Sequence, residues 1–164
     1  MFPGCICARC GVDRLGYSER YADDFLLELH YAAVFGTDEV EVLTAKLPLW
    51  RHLVHKQSNL GRTPLMLAAG TAKPNLVHAF FAAGAQPNTA DQLGNVALHY
   101  AVAAMTTGRQ AAVPASRCID AICARPGANV DAEASTPCCG TSGETPLLRA
   151  AIVGAKPLIR RLLA

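Results

Sequence analysis

The stretch GRTPLMLAAGTA, residues 61–72, opens with a glycine, continues with a Thr-Pro pair and then runs into apolar residues. Much of this stretch returns as GETPLLRAAIVG at residues 143–154. A looser copy, GNVALHYAVAA, begins at Gly94, one period of 33 residues after Gly61. Repetition at this spacing indicates an array of similar units rather than a single helix in a unique fold.

Each copy carries the signals for a turn followed by two short helices. The glycines that open the copies suit a tight turn with a positive φ. Thr63 places a helix-capping hydroxyl directly before Pro64, which favours the first helical position. Further on, KPNLVHAFFAAGA (73–85) spaces its apolar residues along one helix face, and Gly84 ends that helix. The predicted unit is therefore a turn, a helix, a turn, a second helix and a polar finger that leads to the next unit.

The unit GRTPLMLAAGTAKPNLVHAFFAAGAQPN (61–88) resembles the ankyrin repeat. The pattern of that family runs Gly-x-Thr-Pro-Leu-His-x-Ala-Ala, then Val with two large apolar residues, then Gly-Ala-x-x-Asn. Met66 stands where the family has His, and Ala72 stands where it usually has Gly. The resemblance implies an all-α, ankyrin-like solenoid of helix-turn-helix repeats, in which a concave groove binds partner proteins and no cofactor is needed.

We expect about four repeats, of which the two terminal ones are degenerate, as is typical of terminal units in a stack. A cysteine-containing extension precedes them over residues 1–24, and the ankyrin-repeat domain occupies residues 25–164. The approximate repeat boundaries are 25–57, 58–90, 91–139 and 140–164.

The third repeat is longer than the others, and the spacing of its motifs locates the extra residues. Ten of them are predicted to form a protruding loop within MTTGRQAAVPAS (105–116), between the two helices. Six more lie in AEASTPCCGTSG (132–143), where they lengthen the finger before the fourth repeat.

Composition and charge restrict the class of protein. The chain has 164 residues, which is enough for one domain with its own core, and its 51% hydrophobic fraction with only 6% aromatics suits closely packed helices. The formal net charge is +2, and mixed charges give no basic stripe for a nucleic acid. We find neither an apolar run long enough for a transmembrane segment nor a secretory signal, so we expect a location in the cytoplasm, with the nucleus also compatible.

Some cysteines and histidines invite a chemical interpretation. Cys5, Cys7 and Cys10 could supply three ligands to a zinc ion or could carry lipid, although an ordinary terminal tail is the expected role. His30 and His99 occupy the histidine position of the repeat, and the resemblance implies that they bind the main chain of neighbouring turns. Because no nucleophile lies beside a base and no phosphate-binding loop is present, we expect no catalytic residue, no metal, no cofactor and no enzymatic activity.

The remaining candidate is a surface that binds another protein. By repeat position, the finger tips and the exposed face of each first helix should line the groove. Leu60 and Leu93 are the most informative members, because both are large and apolar and lie one period apart. Each leucine could alternatively pack against the next finger. The predicted partner-binding residues are Asn59, Leu60, Arg62, Thr71, Gln92, Leu93, Asn95, Ala103, Ala104, Thr141, Ser142 and Glu144.

The predicted function is therefore that of a protein-protein interaction module, an adaptor or scaffold that binds a folded domain or a disordered segment. Two alternatives stay open at this point. The chain could be a targeting or anchoring module that uses the cysteines of its extension, or it could be the regulatory ankyrin portion of a larger enzyme.

Overall fold

The computed structural model describes residues 28–35, 51–105, 109–136 and 141–153, together with residues 155, 159, 160, 162 and 163. The predicted extension over 1–24, with its three cysteines, lies outside these residues. Six α-helices lie within the described residues: α1 (Glu28–Phe35), α2 (Pro64–Gly70), α3 (Pro74–Ala82), α4 (Ala97–Ala104), α5 (Arg109–Cys123) and α6 (Pro146–Val153). A short 3-10 helix spans Arg51–Leu53, and two strands, β1 (Ala134–Thr136) and β2 (Thr141–Glu144), precede α6.

The helices form two layers. The first helices of successive repeats lie side by side in the order α1, α2, α4, α6, and the second helices α3 and α5 pack against each other behind them. Each first helix in the middle of the row also contacts the second helix of its own repeat. The predicted all-α solenoid of helix pairs is confirmed.

The helix starts follow from the Thr-Pro pairs. The Thr63 Oγ1 accepts a hydrogen bond from the Met66 backbone N–H at 3.3 Å, and Pro64 occupies the first helical position, where no N–H is needed. The Thr145 Oγ1 accepts in the same way from the Leu148 N–H at 3.2 Å. Two repeats that are far apart in the chain therefore begin their first helices with the same cap.

The turn glycines also behave as predicted. Gly61, Gly94 and Gly143 have φ values of 77°, 79° and 83°. A Cβ on Gly61 would lie 2.9 Å from the Gln92 backbone nitrogen, so the next finger approaches too closely for any side chain. Ala72, which replaces the usual glycine, is the one described non-glycine residue with a positive φ, at 55°.

Small residues set the distance between the first helices. Ala68 and Ala69 are fully buried, as is Leu67 beside them. A Cβ on Gly70 would lie 3.2 Å from Cδ1 of Tyr100, which shows how closely α4 lies on α2. The alanines are therefore part of the shared core between repeats, and a larger side chain there has no free volume to occupy.

The extra residues of the third repeat extend a helix, and the predicted loop over 105–116 is wrong in this respect. Helix α5 begins at Arg109 and has 15 residues, whereas the corresponding α3 has 9. The segment favours a helix because it is rich in alanine, and Ala115 continues the buried stripe of Cys118, Ile119 and Ile122 at helical spacing. Pro114 lies inside this helix.

The lengthened finger of the third repeat forms an antiparallel strand pair. Ala134 pairs with Glu144, Ser135 with Ser142 and Thr136 with Thr141, with an irregularity between the first two pairs. The hairpin leads directly into α6, so the added residues lengthen the finger as the spacing predicts. It is the only sheet in the described part of the chain.

Replacing Ala69 with leucine should overpack the contact between repeats. We expect the free energy of unfolding to fall by about 1–3 kcal/mol, because the added methyl groups must displace buried neighbours. Thermal melting followed by circular dichroism measures the effect. Ala82→Leu is the matched control, since Ala82 is exposed at the end of α3 and should leave the melting temperature nearly unchanged. Equal melting curves for the two variants would contradict the placement of Ala69.

Candidate functional site

Hydrogen bonds fix the fingers before the second and third repeats to each other. The Gln92 backbone N–H donates to the Leu60 carbonyl at 3.2 Å, and its side-chain Nε2 donates to the Asn59 carbonyl at 2.7 Å. From the other finger, the Gln57 Nε2 donates to the Ala90 carbonyl at 2.9 Å. The two finger tips therefore lie side by side as one unit.

Four of the predicted partner-binding residues meet at these tips. Asn59 and Gln92 are exposed, and Leu60 and Leu93 are half-buried. We call these four residues the finger surface. It combines two amide side chains with two apolar side chains on a backbone that the hydrogen bonds above hold in place.

Thr71 has a structural contact in addition to its partial exposure. Its Oγ1 lies 3.0 Å from the Ala33 carbonyl and 2.9 Å from the Leu67 carbonyl. Nearby, the Lys73 ammonium donates to the carbonyls of Ala33 and Val34 at 2.9 and 2.8 Å. A cation at the C-terminal end of a helix satisfies its last carbonyls and complements its dipole. Both side chains thus join the second repeat to the end of α1.

Five of the predicted partner-binding residues are buried, so the prediction that they line an exposed groove is wrong. Ala103 and Ala104 are 8% and 1% exposed because α4 contacts α2, α5 and α6 and is buried along its whole length. Arg62, Asn95 and Glu144 are 3%, 2% and 4% exposed. Thr141 and Ser142 lie on β2.

A buried cluster of polar groups accounts for Asn95 and Glu144. The Arg149 guanidinium lies 3.2 and 3.3 Å from the two carboxylate oxygens of Glu144 and donates to the Asn95 Oδ1 at 3.1 Å. It also donates to the His99 carbonyl at 3.4 Å. A charge can be buried only when it is paired and hydrogen-bonded, and Arg149 meets both conditions.

Asp91 extends this cluster to the finger of the third repeat. Its carboxylate accepts from the Asn95 backbone N–H at 2.8 Å, from the Asn95 Nδ2 at 3.1 Å and from the Tyr100 hydroxyl at 2.8 Å. One feature of the sequence indicates the cluster: an arginine, Arg149, occupies the position where the second repeat has the buried Leu67. Its partners lie up to 54 residues away along the chain, and the repeat pattern does not identify them.

The two histidines at the repeat position bind the main chain of the next turn, as predicted. The Nε2 of His30 donates to the Arg62 carbonyl at 2.9 Å, and the Nε2 of His99 donates to the Glu144 carbonyl at 3.0 Å. The Nδ1 of His99 accepts from the Val96 N–H at 3.1 Å, which leaves the ring proton on Nε2. Each imidazole therefore links its own helix to the turn of the following repeat.

Met66 performs only half of this role at the interface between the second and third repeats. Its sulfur accepts from the Thr63 N–H at 3.4 Å, as the ring nitrogen of His99 does from Val96. A thioether has no proton to donate, however. The carbonyl that such a bond would reach is that of Asn95, which occupies the same position in its turn as Arg62 does in the turn before. Each of these carbonyls accepts at 2.9 Å from a backbone N–H in its own turn, that of Asp91 or Ser58. This interface thus lacks the bond from an imidazole.

Neither a metal site nor a membrane span is found in the part of the chain that the structure describes. No three His, Cys, Asp or Glu side chains there gather so that they could hold a metal ion. None of the described helices has the length and apolarity needed to cross a bilayer. Cys5, Cys7 and Cys10, which could supply three zinc ligands but are expected to belong to an ordinary tail, lie outside the described residues.

The stacked helix pairs, the capped helix starts and the linked turns define a helical-repeat solenoid. A family model described as ankyrin repeats (3 copies) matches residues 29–133. The chain belongs to the ankyrin-repeat family, whose repeats are generally protein-protein interaction modules and typically non-enzymatic. The fourth predicted repeat, with α6, follows the matched range. No curated protein matches the chain.

Met66→His should supply the missing bond between the second and third repeats. An imidazole there can accept from the Thr63 N–H at Nδ1 and donate its one N–H, on Nε2, to the Asn95 carbonyl. We expect the free energy of unfolding to rise by about 1 kcal/mol, the usual net value of one hydrogen bond. Urea unfolding measures the change, and His99→Met, which removes the same bond one repeat later, should lower stability. A Met66→His protein that is less stable than the native protein would refute this assignment.

The stability of the fold should depend on pH through His99. Burial, assisted by the Arg149 guanidinium, lowers the pKa of His99 from 6.5 to about 4. Between these values the unfolded chain binds a proton that the folded chain does not, so the free energy of unfolding falls as the pH falls from 6.5 to 4. The loss approaches about 3 kcal/mol at the lower end.

Urea unfolding at several pH values, with native protein and a His99→Gln variant, tests this dependence. The variant should be less sensitive to pH in that window, whereas His78→Gln, at an exposed position, should follow the native curve. Parallel curves for His99→Gln and native protein would show that His99 does not carry the effect.

Proposed function

We propose that this chain acts as an adaptor that binds another protein through the finger surface, made of Asn59, Leu60, Gln92 and Leu93. The observation that carries the proposal is the hydrogen bond between the Gln92 N–H and the Leu60 carbonyl, which places two leucine-bearing tips next to each other. Neither leucine is buried in the core, and an exposed amide flanks each of them. Apolar side chains inside a polar rim are the usual composition of a protein contact.

Rigidity supports the same proposal. The finger tips are held by main-chain and amide hydrogen bonds, so a partner has little finger entropy to remove on binding. Because Arg62, Asn95 and Glu144 are buried, the proposed contact is limited to the tips of the fingers. The adaptor role requires no cofactor and no reaction.

Leu60→Arg combined with Leu93→Arg should weaken capture of the native partner by tenfold or more, because two charges would have to be desolvated in the contact. Affinity capture from native lysate with quantitative mass spectrometry measures the loss, and circular dichroism should show unchanged helix content. The matched control is Ala82→Arg with Ala124→Arg, which adds the same charge at two exposed positions outside the finger surface. Equal capture by the native protein and the leucine variant would exclude the finger surface.

A further inference from the structure

The charges of the chain are not evenly distributed along it. Residues 42–90 contain five Lys or Arg and no Asp or Glu, although the whole chain has 15 basic and 13 acidic residues. This range includes the entire second repeat and the segment that leads into it. No acidic residue within this range balances its cations, and the range is bounded by Glu41 and Asp91.

The structure uses two of these five cations internally, and a third, Lys46, lies outside the described residues. Arg62 is buried, and Lys73 donates to the carbonyls at the end of α1. Arg51 and Lys56, in contrast, are exposed, as are His52 and His55 between them. We call these four residues the basic turn.

The basic turn has a defined backbone. It starts in the 3-10 helix Arg51–Leu53, and the Lys56 N–H donates to the Leu53 carbonyl at 3.0 Å. Val54 is 1% exposed, and Leu53 packs partly buried against the core, so the apolar side chains of the segment anchor it. The side chain of the next residue, Gln57, crosses to the neighbouring finger.

No described carboxylate forms an ion pair with the basic turn. Glu144 pairs with Arg149 at the other end of the solenoid, and Asp91 accepts from Asn95 and Tyr100 within its own repeat. Two permanent cations and two imidazoles therefore face solvent on a fixed segment that runs directly into Asn59 and Leu60. Such an arrangement attracts an anionic partner and favours its approach.

The size and composition of the basic turn favour a peptide over a nucleic acid. Affinity for a nucleic acid grows with the number of phosphates that are neutralised, and two permanent cations neutralise few. The amide and apolar groups of the adjoining finger surface offer contacts that a protein segment can use. Arg51 in particular can hold a carboxylate with two parallel hydrogen bonds.

We propose that the basic turn of Arg51, His52, His55 and Lys56 binds a linear acidic segment of the partner protein, next to the finger surface. The proposal rests on the adaptor function proposed above and specifies the chemistry of its partner. Carboxylates of the segment contact the basic turn, and apolar residues of the same segment contact Leu60 and Leu93.

A random 12-residue peptide library displayed on phage, selected against the full chain, tests the proposal. We expect the selected peptides to be enriched in Asp and Glu, and a labelled selected peptide to bind at least ~10-fold more weakly to Arg51→Glu with Lys56→Glu. The matched control, Arg117→Glu with Arg160→Glu, changes the net charge equally at two other exposed cations and should bind like the native chain. Fluorescence anisotropy gives the affinities, and circular dichroism verifies folding.

Three outcomes overturn the proposal. The selected peptides are not acidic, or the charge reversal at the basic turn leaves their binding unchanged, or a 12-nucleotide single strand binds the chain more tightly than the peptide does. Any of these results leaves the adaptor function intact if the leucine variant still loses its captured partner. Conversely, the charge reversal at the basic turn could weaken binding of the acidic peptide while the leucine variant still captures the partner normally. That combination would reject only the finger surface.

Discussion

The stacking depends on main-chain carbonyls in the turns, which accept a hydrogen bond from a histidine of the preceding repeat at two of the three junctions between the described repeats. The Arg62 carbonyl accepts from Ser58 in its own turn and from His30 in the preceding repeat. These two hydrogen bonds fix both the conformation of the turn and its distance from the preceding repeat. Small residues fit this close spacing: Ala68 and Ala69 are fully buried, and a Cβ on Gly70 would lie 3.2 Å from Cδ1 of Tyr100 in α4.

The contacts between successive repeats are chemically unequal. The third and fourth repeats are joined by the bond from His99 and by the buried Arg149 cluster. The second and third repeats have neither. They are joined by the packing of α2 on α4, by hydrogen bonds of Gln57, Gln92 and Asn88, and by the Arg125 guanidinium, which lies 4.3 Å from the centre of the Phe81 ring. In a one-dimensional stack, each contact contributes separately to stability, so these differences are not averaged over the chain.

Local signals made most of the fold predictable, and the errors came from longer-range contacts. Thr63, Pro64 and the turn glycines act within a few residues, so the repeats and their helix starts follow from the sequence. The spacing of the motifs revealed the insertion in the third repeat, but it did not predict that part of the insertion would lengthen helix α5. The burial of Asn95 and Glu144 does not follow from the repeat pattern, because it depends on their contacts with the distant Arg149. The exposed cations Arg51 and Lys56 do not stand out when the net charge is taken over the whole chain.

The proposed binding residues lie on the two repeats whose junction lacks the bond from an imidazole. A partner that touches both Leu60 and Leu93 spans the interface at which Met66 replaces the family histidine. Such a partner binds only when the two fingers lie side by side. Its binding therefore stabilises the intact interface relative to a locally unfolded state in which the repeats separate. The methionine therefore leaves the free chain without one hydrogen bond at a place where a bound partner adds contacts, so binding should stabilise this interface.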